Sequence, residues 1–145
     1  MARRATASGA HTHLIVNTDG ASRGNPGLAG AGWVLRSDHG ALVDAGGRFL
    51  GVQTNNVAEY HGVLGGLSVA RERGARKVTL RADSELLIRQ LEGRYKVRAP
   101  NLQPLYEQAR ALLRAFESYT LEHVRRELNG DADTEANRAI DERPR

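Results

Sequence analysis

Among the 17 Asp and Glu residues of the chain, Asp19, Glu59, Asp83 and Asp133 sit where chemistry is commonly placed, beside segment boundaries. Asp19 follows a short apolar run and precedes unusually small residues, in "NTDGASRGNPG". Asp83 closes "KVTLRAD", Glu59 falls in the first turn or so of a helical pattern, and Asp133 opens the last one. Carboxylates that converge repel one another unless a cation lies among them. Oxygen donors without His or Cys suit Mg²⁺ or Mn²⁺ rather than zinc or copper. Two such ions, about 4 Å apart, activate a water and stabilise the leaving oxygen of a phosphodiester. Each residue also has a plainer reading. Asp19 before Gly20 makes a turn, Glu59 and Asp133 favour a helix N-terminus, and Asp83-Ser84 is a cap. Taken singly, the plainer reading is the stronger one. Four together at element ends point to a site.

The elements that must position them follow from periodicity. The apolar run at 14–16, with β-branched Ile15 and Val16, reads as a strand ending at Thr18-Asp19. Residues 29–36 and 41–50 flank a Ser-Asp-His-Gly turn and read as a hairpin, so the first three strands are antiparallel. Val57, Tyr60, Val63, Leu64, Leu67 and Ala70 recur at helical spacing, with Thr54 or Asn55 as the cap and Gly74 as the stop. Gly62, Gly65 and Gly66 inside that helix each cost about 1 kcal/mol against alanine, which implies close packing on a sheet. Residues 77–83 form a strand, 84–91 a short helix, 102–118 a longer helix, 119–126 the last strand and 132–140 a final helix. "LNGD" reads as a loop, and Trp33 as a core residue. The order is βββαβααβα, an α/β fold with a five-stranded mixed sheet flanked by helices. Strand ends and the crevice beyond them are where such sheets hold their sites.

At 145 residues the chain is expected to be one domain: residues 1–12 a flexible tail, 13–141 the folded unit, 142–145 a short tail. The absence of cysteine excludes disulfides and thiolate zinc sites and fits a cytoplasmic location. No apolar run reaches the roughly 20 residues of a membrane span. The net charge of +4 is compatible with a polyanionic partner.

With these residues in place, the sequence resembles the ribonuclease H type 1 family, in its compact form without a basic protrusion. The resemblance lies in "NTDGASRGNPGLAGAGWVL", "TNNVAEYHGVLGGL", "LRADSELLIRQLEGRYKV" and "HVRRELNGDADTEANRAID". It implies the ribonuclease H-like fold and endonucleolytic cleavage of the RNA strand of an RNA–DNA hybrid. Cleavage uses two Mg²⁺ ions, with Mn²⁺ as a substitute, and leaves 3′-hydroxyl and 5′-phosphate ends. Asp19, Glu59, Asp83 and Asp133 match the family's catalytic metal ligands. Ser22, Gly24 and Asn25 match the loop that approaches the RNA sugar. Thr54, Asn55 and Asn56 match residues that touch the minor groove and the DNA backbone, while helix capping alone is the plainer account of "TNN".

Three departures from the family pattern stand out. The loop "RRELNGDAD" lacks the histidine that many members carry there, and His123 lies earlier, in the last strand. Arg125 or Arg126 takes its place, acting electrostatically because arginine does not shuttle protons near neutral pH. The short basic segment around Arg94, Tyr95, Lys96 and Arg98 stands where other members have a protrusion, either as a phosphate grip or as a solvated loop. Val52 replaces a basic phosphate contact, which implies looser hybrid preference and some cleavage of double-stranded RNA. A monomer is expected. The alternative function is a catalytically silent nucleic-acid-binding module of the same fold.

Overall fold

The computed structural model describes residues 12–144. Most of the expected N-terminal tail therefore lies outside the described residues, as does Arg145. The elements are β1 (His13–Arg23), β2 (Gly27–Ser37), β3 (Leu42–Gln53), α1 (Asn55–Glu72), β4 (Lys77–Ala82), α2 (Glu85–Leu91), α3 (Gln103–Arg114), β5 (Ser118–His123) and α4 (Gly130–Asp141), with a 3₁₀ turn at Arg126–Leu128. They form one five-stranded sheet in the order β3-β2-β1-β4-β5. β1, β2 and β3 pair antiparallel, and β4 runs parallel to both β1 and β5.

β1 carries the sheet's central logic. Successive side chains along a strand point to opposite faces. Leu14 and Val16 face the main core with Trp33, Leu35, Tyr60, Leu67, Leu80 and Leu113. α1 lies on this face, with α2 and α3 packed beside it. Its three internal glycines explain the approach: a Cβ on Gly62 would stand 2.6 Å from the Asp19 carbonyl, and one on Gly65 would enter the Trp33 ring. α4 covers the other face, where Gly30, Gly32 and Gly47 open a shallow trough for Ala132, Ala136 and Ala139.

Several boundaries differ from the sequence expectation. β1 continues past Asp19 to Arg23 because β2 stays paired with it as far as Arg23–Leu28. Asp19 is therefore inside a strand, not at its end. Glu59 lies beyond the first turn of α1, which holds no acidic residue. Asp133 does not open α4, which starts at Gly130, and "LNGD" includes the end of the 3₁₀ turn and the start of that helix. α3 stops at Arg114, leaving Phe116 buried in the turn that follows, and β5 ends at His123 rather than 126. Thr54, not Asn55, is the cap of α1.

Candidate active site

The parallel pairing of β1 with β4 stops at Asn17–Arg81. Asp19 and Asp83 each stand two residues beyond that last rung, so they flank the mouth where the strands part. Glu59 arrives from α1. A Cβ on Gly20 would strike the Ala58 and Glu59 backbone, so only glycine lets the helix sit that close to the strand. The Asp-Gly pair thus has two roles: Asp19 supplies the carboxylate and Gly20 admits the helix that brings the second one. One carboxylate oxygen from each of Asp19, Glu59 and Asp83 lies within 4.8 Å of the others.

Burial makes this cluster costly as a set of anions. Asp19 and Glu59 are each only 8% exposed. Desolvation, then repulsion from Asp83, pushes the Asp19 carboxyl up to about 8 against the pull of the Gly20 amide. Glu59 is pushed up to about 7, also chiefly by burial, with the Ser84 hydroxyl and the Arg126 charge acting in the opposite direction. Asp133 stands on the exposed rim, outside the tight group, yet near enough for its charge to raise Asp19 further. The structure therefore brings three of the four carboxylates together and leaves the fourth beside them.

Asn129 had no separate role in the sequence reading. It is 1% exposed and sits at the N-cap of α4, but makes no cap hydrogen bond. Its Nδ2 donates to the Thr18 carbonyl at 2.9 Å and to Asp83 Oδ2 at 3.4 Å, and its Oδ1 accepts from Asn17 Nδ2 at 3.0 Å. It fastens β1, Asp83 and α4 at one point. The signal in the sequence is an asparagine four residues ahead of Asp133, which alone reads as a cap.

Ser22, Gly24 and Asn25 meet Thr54, Asn55 and Asn56 on one ledge. The Ser22 hydroxyl donates to the Gln53 carbonyl at 2.8 Å and also contacts the Gly24 carbonyl. The Asn55 amide donates to Asn25 Oδ1 at 3.1 Å, and the Val57 amide to Thr54 Oγ1 at 3.3 Å. The β1–β2 turn is thereby tied to the start of α1, with Asn56 and Val52 exposed on its edge. Arg125 is exposed beside Glu127. Arg94 Nη1 lies 3.6 Å from Glu92 Oε1, and Lys96 lines a cleft of about 550 Å³ with Tyr95, Val97 and Tyr106. His123 is solvent-exposed at the end of β5.

A family model described as "Reverse transcriptase-like" matches residues 17–139. The fold superposes on the RNase H1 of the halophilic archaeon Halobacterium salinarum with a TM-score of 0.86 and 42% identity, covering 89% of this chain and 98% of that one. The chain belongs to the ribonuclease H type 1 family. A curated Ribonuclease HI from Halobacterium salinarum is 44% identical over 124 residues, 86% of this chain. The chain spans 62% of that relative's length. LC11-RNase H1, solved in complex with an RNA/DNA hybrid, matches with a TM-score of 0.83 and 35% identity, over 88% of this chain and 96% of that one. The ribonuclease H resemblance and the five-stranded mixed fold expected from the sequence are both borne out. Among the described residues, no helix is long and apolar enough to cross a membrane.

Proposed function

We propose that residues 13–141 form a nuclease domain that cuts the RNA strand of RNA–DNA hybrids, leaving 3′-hydroxyl and 5′-phosphate ends. The observation that carries this reading is the group formed by buried Asp19 and Glu59 with half-buried Asp83, whose ligand oxygens lie within 4.8 Å of one another. Anions this close and this dry are unfavourable by themselves and become favourable around a cation. The donor set is oxygen only, which fits Mg²⁺, or Mn²⁺ in its place. Asp19, Glu59 and Asp83 would hold two ions together with Asp133 from the rim. When bound, such ions supply an activated water and neutralise charge on the leaving oxygen.

The chain's own residues do the rest. Asn129 and the Ser84 hydroxyl hold the carboxylates of Asp83 and Glu59 in place. The ledge of Ser22, Gly24 and Asn25 with Thr54, Asn55 and Asn56 seats the two strands, and contact with the 2′-hydroxyl selects RNA. Arg126 adds positive charge beside Glu59, and Arg125, Arg94 and Lys96 add phosphate contacts farther out. Val52 brings no charge to the ledge, so double-stranded RNA is cut as well, more slowly. The protein acts as a monomer in the cytoplasm.

The test compares wild type and Asp19→Asn on labelled hybrid, duplex RNA and duplex DNA, with Mg²⁺ and with chelator. Cation-dependent cutting of the hybrid, lost in Asp19→Asn, is the expected result. Binding of the hybrid without cutting in either Mg²⁺ or Mn²⁺ would identify a silent binding module instead.

A further inference from the structure

Asp133, Asn137 and Asp141 follow one another at four-residue spacing, so a single face of α4 carries all three. Arg23, the last residue of β1, lies across that face. Its Nη1 pairs with Asp141 Oδ1 at 2.8 Å, and its Nη2 donates to Asn137 Oδ1 at 3.2 Å. Asn137 Nδ2 then donates to Asp133 Oδ1 at 3.3 Å and to the Asp133 carbonyl at 3.0 Å. The orientation of the amide is determined from both ends. A guanidinium only donates and a carboxylate only accepts, so the amide must turn its oxygen to Arg23 and its NH₂ to Asp133.

The other three carboxylates are held by burial, by the Gly20 amide, by Ser84 and by Asn129. Asp133 has none of these. Among the described residues, Asn137 is the one side chain that donates to it, and only to Oδ1. We propose that Asn137, oriented by Arg23, is a positioning residue for Asp133: it fixes one carboxylate oxygen and leaves Oδ2 for the cation. The inference rests on the nuclease reading above. It also ties the rim carboxylate to the substrate ledge, because Arg23 directly precedes Gly24 in the β1–β2 turn.

Asn137→Ala and Asn137→Asp test this against wild type. Both change a half-buried side chain on the surface of α4 while leaving the Arg23–Asp141 ion pair in place, so closely similar melting curves are expected. Asn137→Ala should lower kcat on the hybrid by roughly 10- to 100-fold, the range for removing a partner that orients a metal ligand. KM for the hybrid should stay within about twofold, since the lost contact acts on the reacting end rather than on substrate binding. Calorimetry with Mn²⁺ and no substrate should show weaker binding for Asn137→Ala. Asn137→Asp separates positioning from bracing: it keeps and strengthens the contact with Arg23, but replaces the donor toward Asp133 with a second negative charge. A positioning role makes Asn137→Asp at least as impaired as Asn137→Ala. Wild-type rates in Asn137→Asp, or unchanged Mn²⁺ affinity in Asn137→Ala, overturn the proposal while leaving the nuclease reading intact. A wild-type protein that cuts nothing removes that reading and this inference together.

Discussion

An asparagine at a helix N-cap ordinarily turns its side-chain oxygen onto the free amides of its own helix. Asn129 turns inward and bonds β1 and Asp83 instead, leaving the first turn of α4 without that support. The exchange makes sense only if fixing Asp83 matters more than capping. Replacing Asn129 with alanine strands the Thr18 carbonyl and the Asn17 amide in a dry place. The expected loss is about 2–3 kcal/mol of stability, read by urea unfolding, together with weaker Mn²⁺ binding. A loss below about 0.5 kcal/mol would mean that Asn129 behaves as an ordinary surface position. This residue also marks where sequence reading stops. Asp19 stands out in the sequence because an isolated acid beside small residues is conspicuous. Asn129 does not, because its partners Asn17 and Thr18 lie at the other end of the chain.

At the scale of elements, legibility followed the locality of the forces. α1 was readable because its apolar spacing and its Thr54 cap are written within the segment. The length of β1 was not, since residues beyond Asp19 have little strand character of their own and stay extended only through pairing with β2. Phe116 continues the apolar spacing of α3 yet lies outside it, because burial in a turn satisfies the same side chain. The glycines of α1 lead to opposing expectations. By helix propensity, alanine at Gly62 or Gly65 stabilises by about 1 kcal/mol. By packing, the added methyl costs about 1–3 kcal/mol or more where no side chain can yield. The Asp19 carbonyl, 2.6 Å from a Cβ on Gly62, belongs to a central strand and cannot yield. Gly62→Ala should therefore destabilise and also separate Asp19 from Glu59, with hybrid cleavage and Mn²⁺ binding falling together. Gly65→Ala meets the Trp33 ring and should lower stability while sparing the site. A denaturation series beside cleavage assays distinguishes these, and a stabilised Gly62→Ala would refute the packing account.

Over the whole molecule, the buried carboxylates set how stability depends on pH. In the fold, Asp19 and Glu59 keep their protons up to about 8 and about 7, against ordinary values of 3.8 and 4.5. Between those limits the folded protein binds more protons than the unfolded chain, so unfolding releases protons and stability falls as pH rises. The stabilising contribution is complete below about pH 4 and gone above about pH 8, with a slope of at most about 1.4 kcal/mol per pH unit for each group. In chelator, the melting temperature should drop from pH 5 to pH 8. Millimolar Mg²⁺ should recover much of that drop at pH 8, because a ligand that binds only the folded state stabilises it. Asp19→Asn should flatten the curve and exceed wild type in cation-free stability at pH 8. A flat wild-type curve would contradict the burial described for this pair.

The bond between Asn17 and Asn129 closes a gap of 112 residues. Its consequence concerns time rather than geometry. While the chain is being synthesised, β1 emerges long before α4, and domains fold as units once their parts are available. Until α4 has left the ribosome, Asp83 lacks its amide partner and the rim carboxylate is missing. On a nascent chain the carboxylate site is therefore unfinished, and it is completed only when α4 docks.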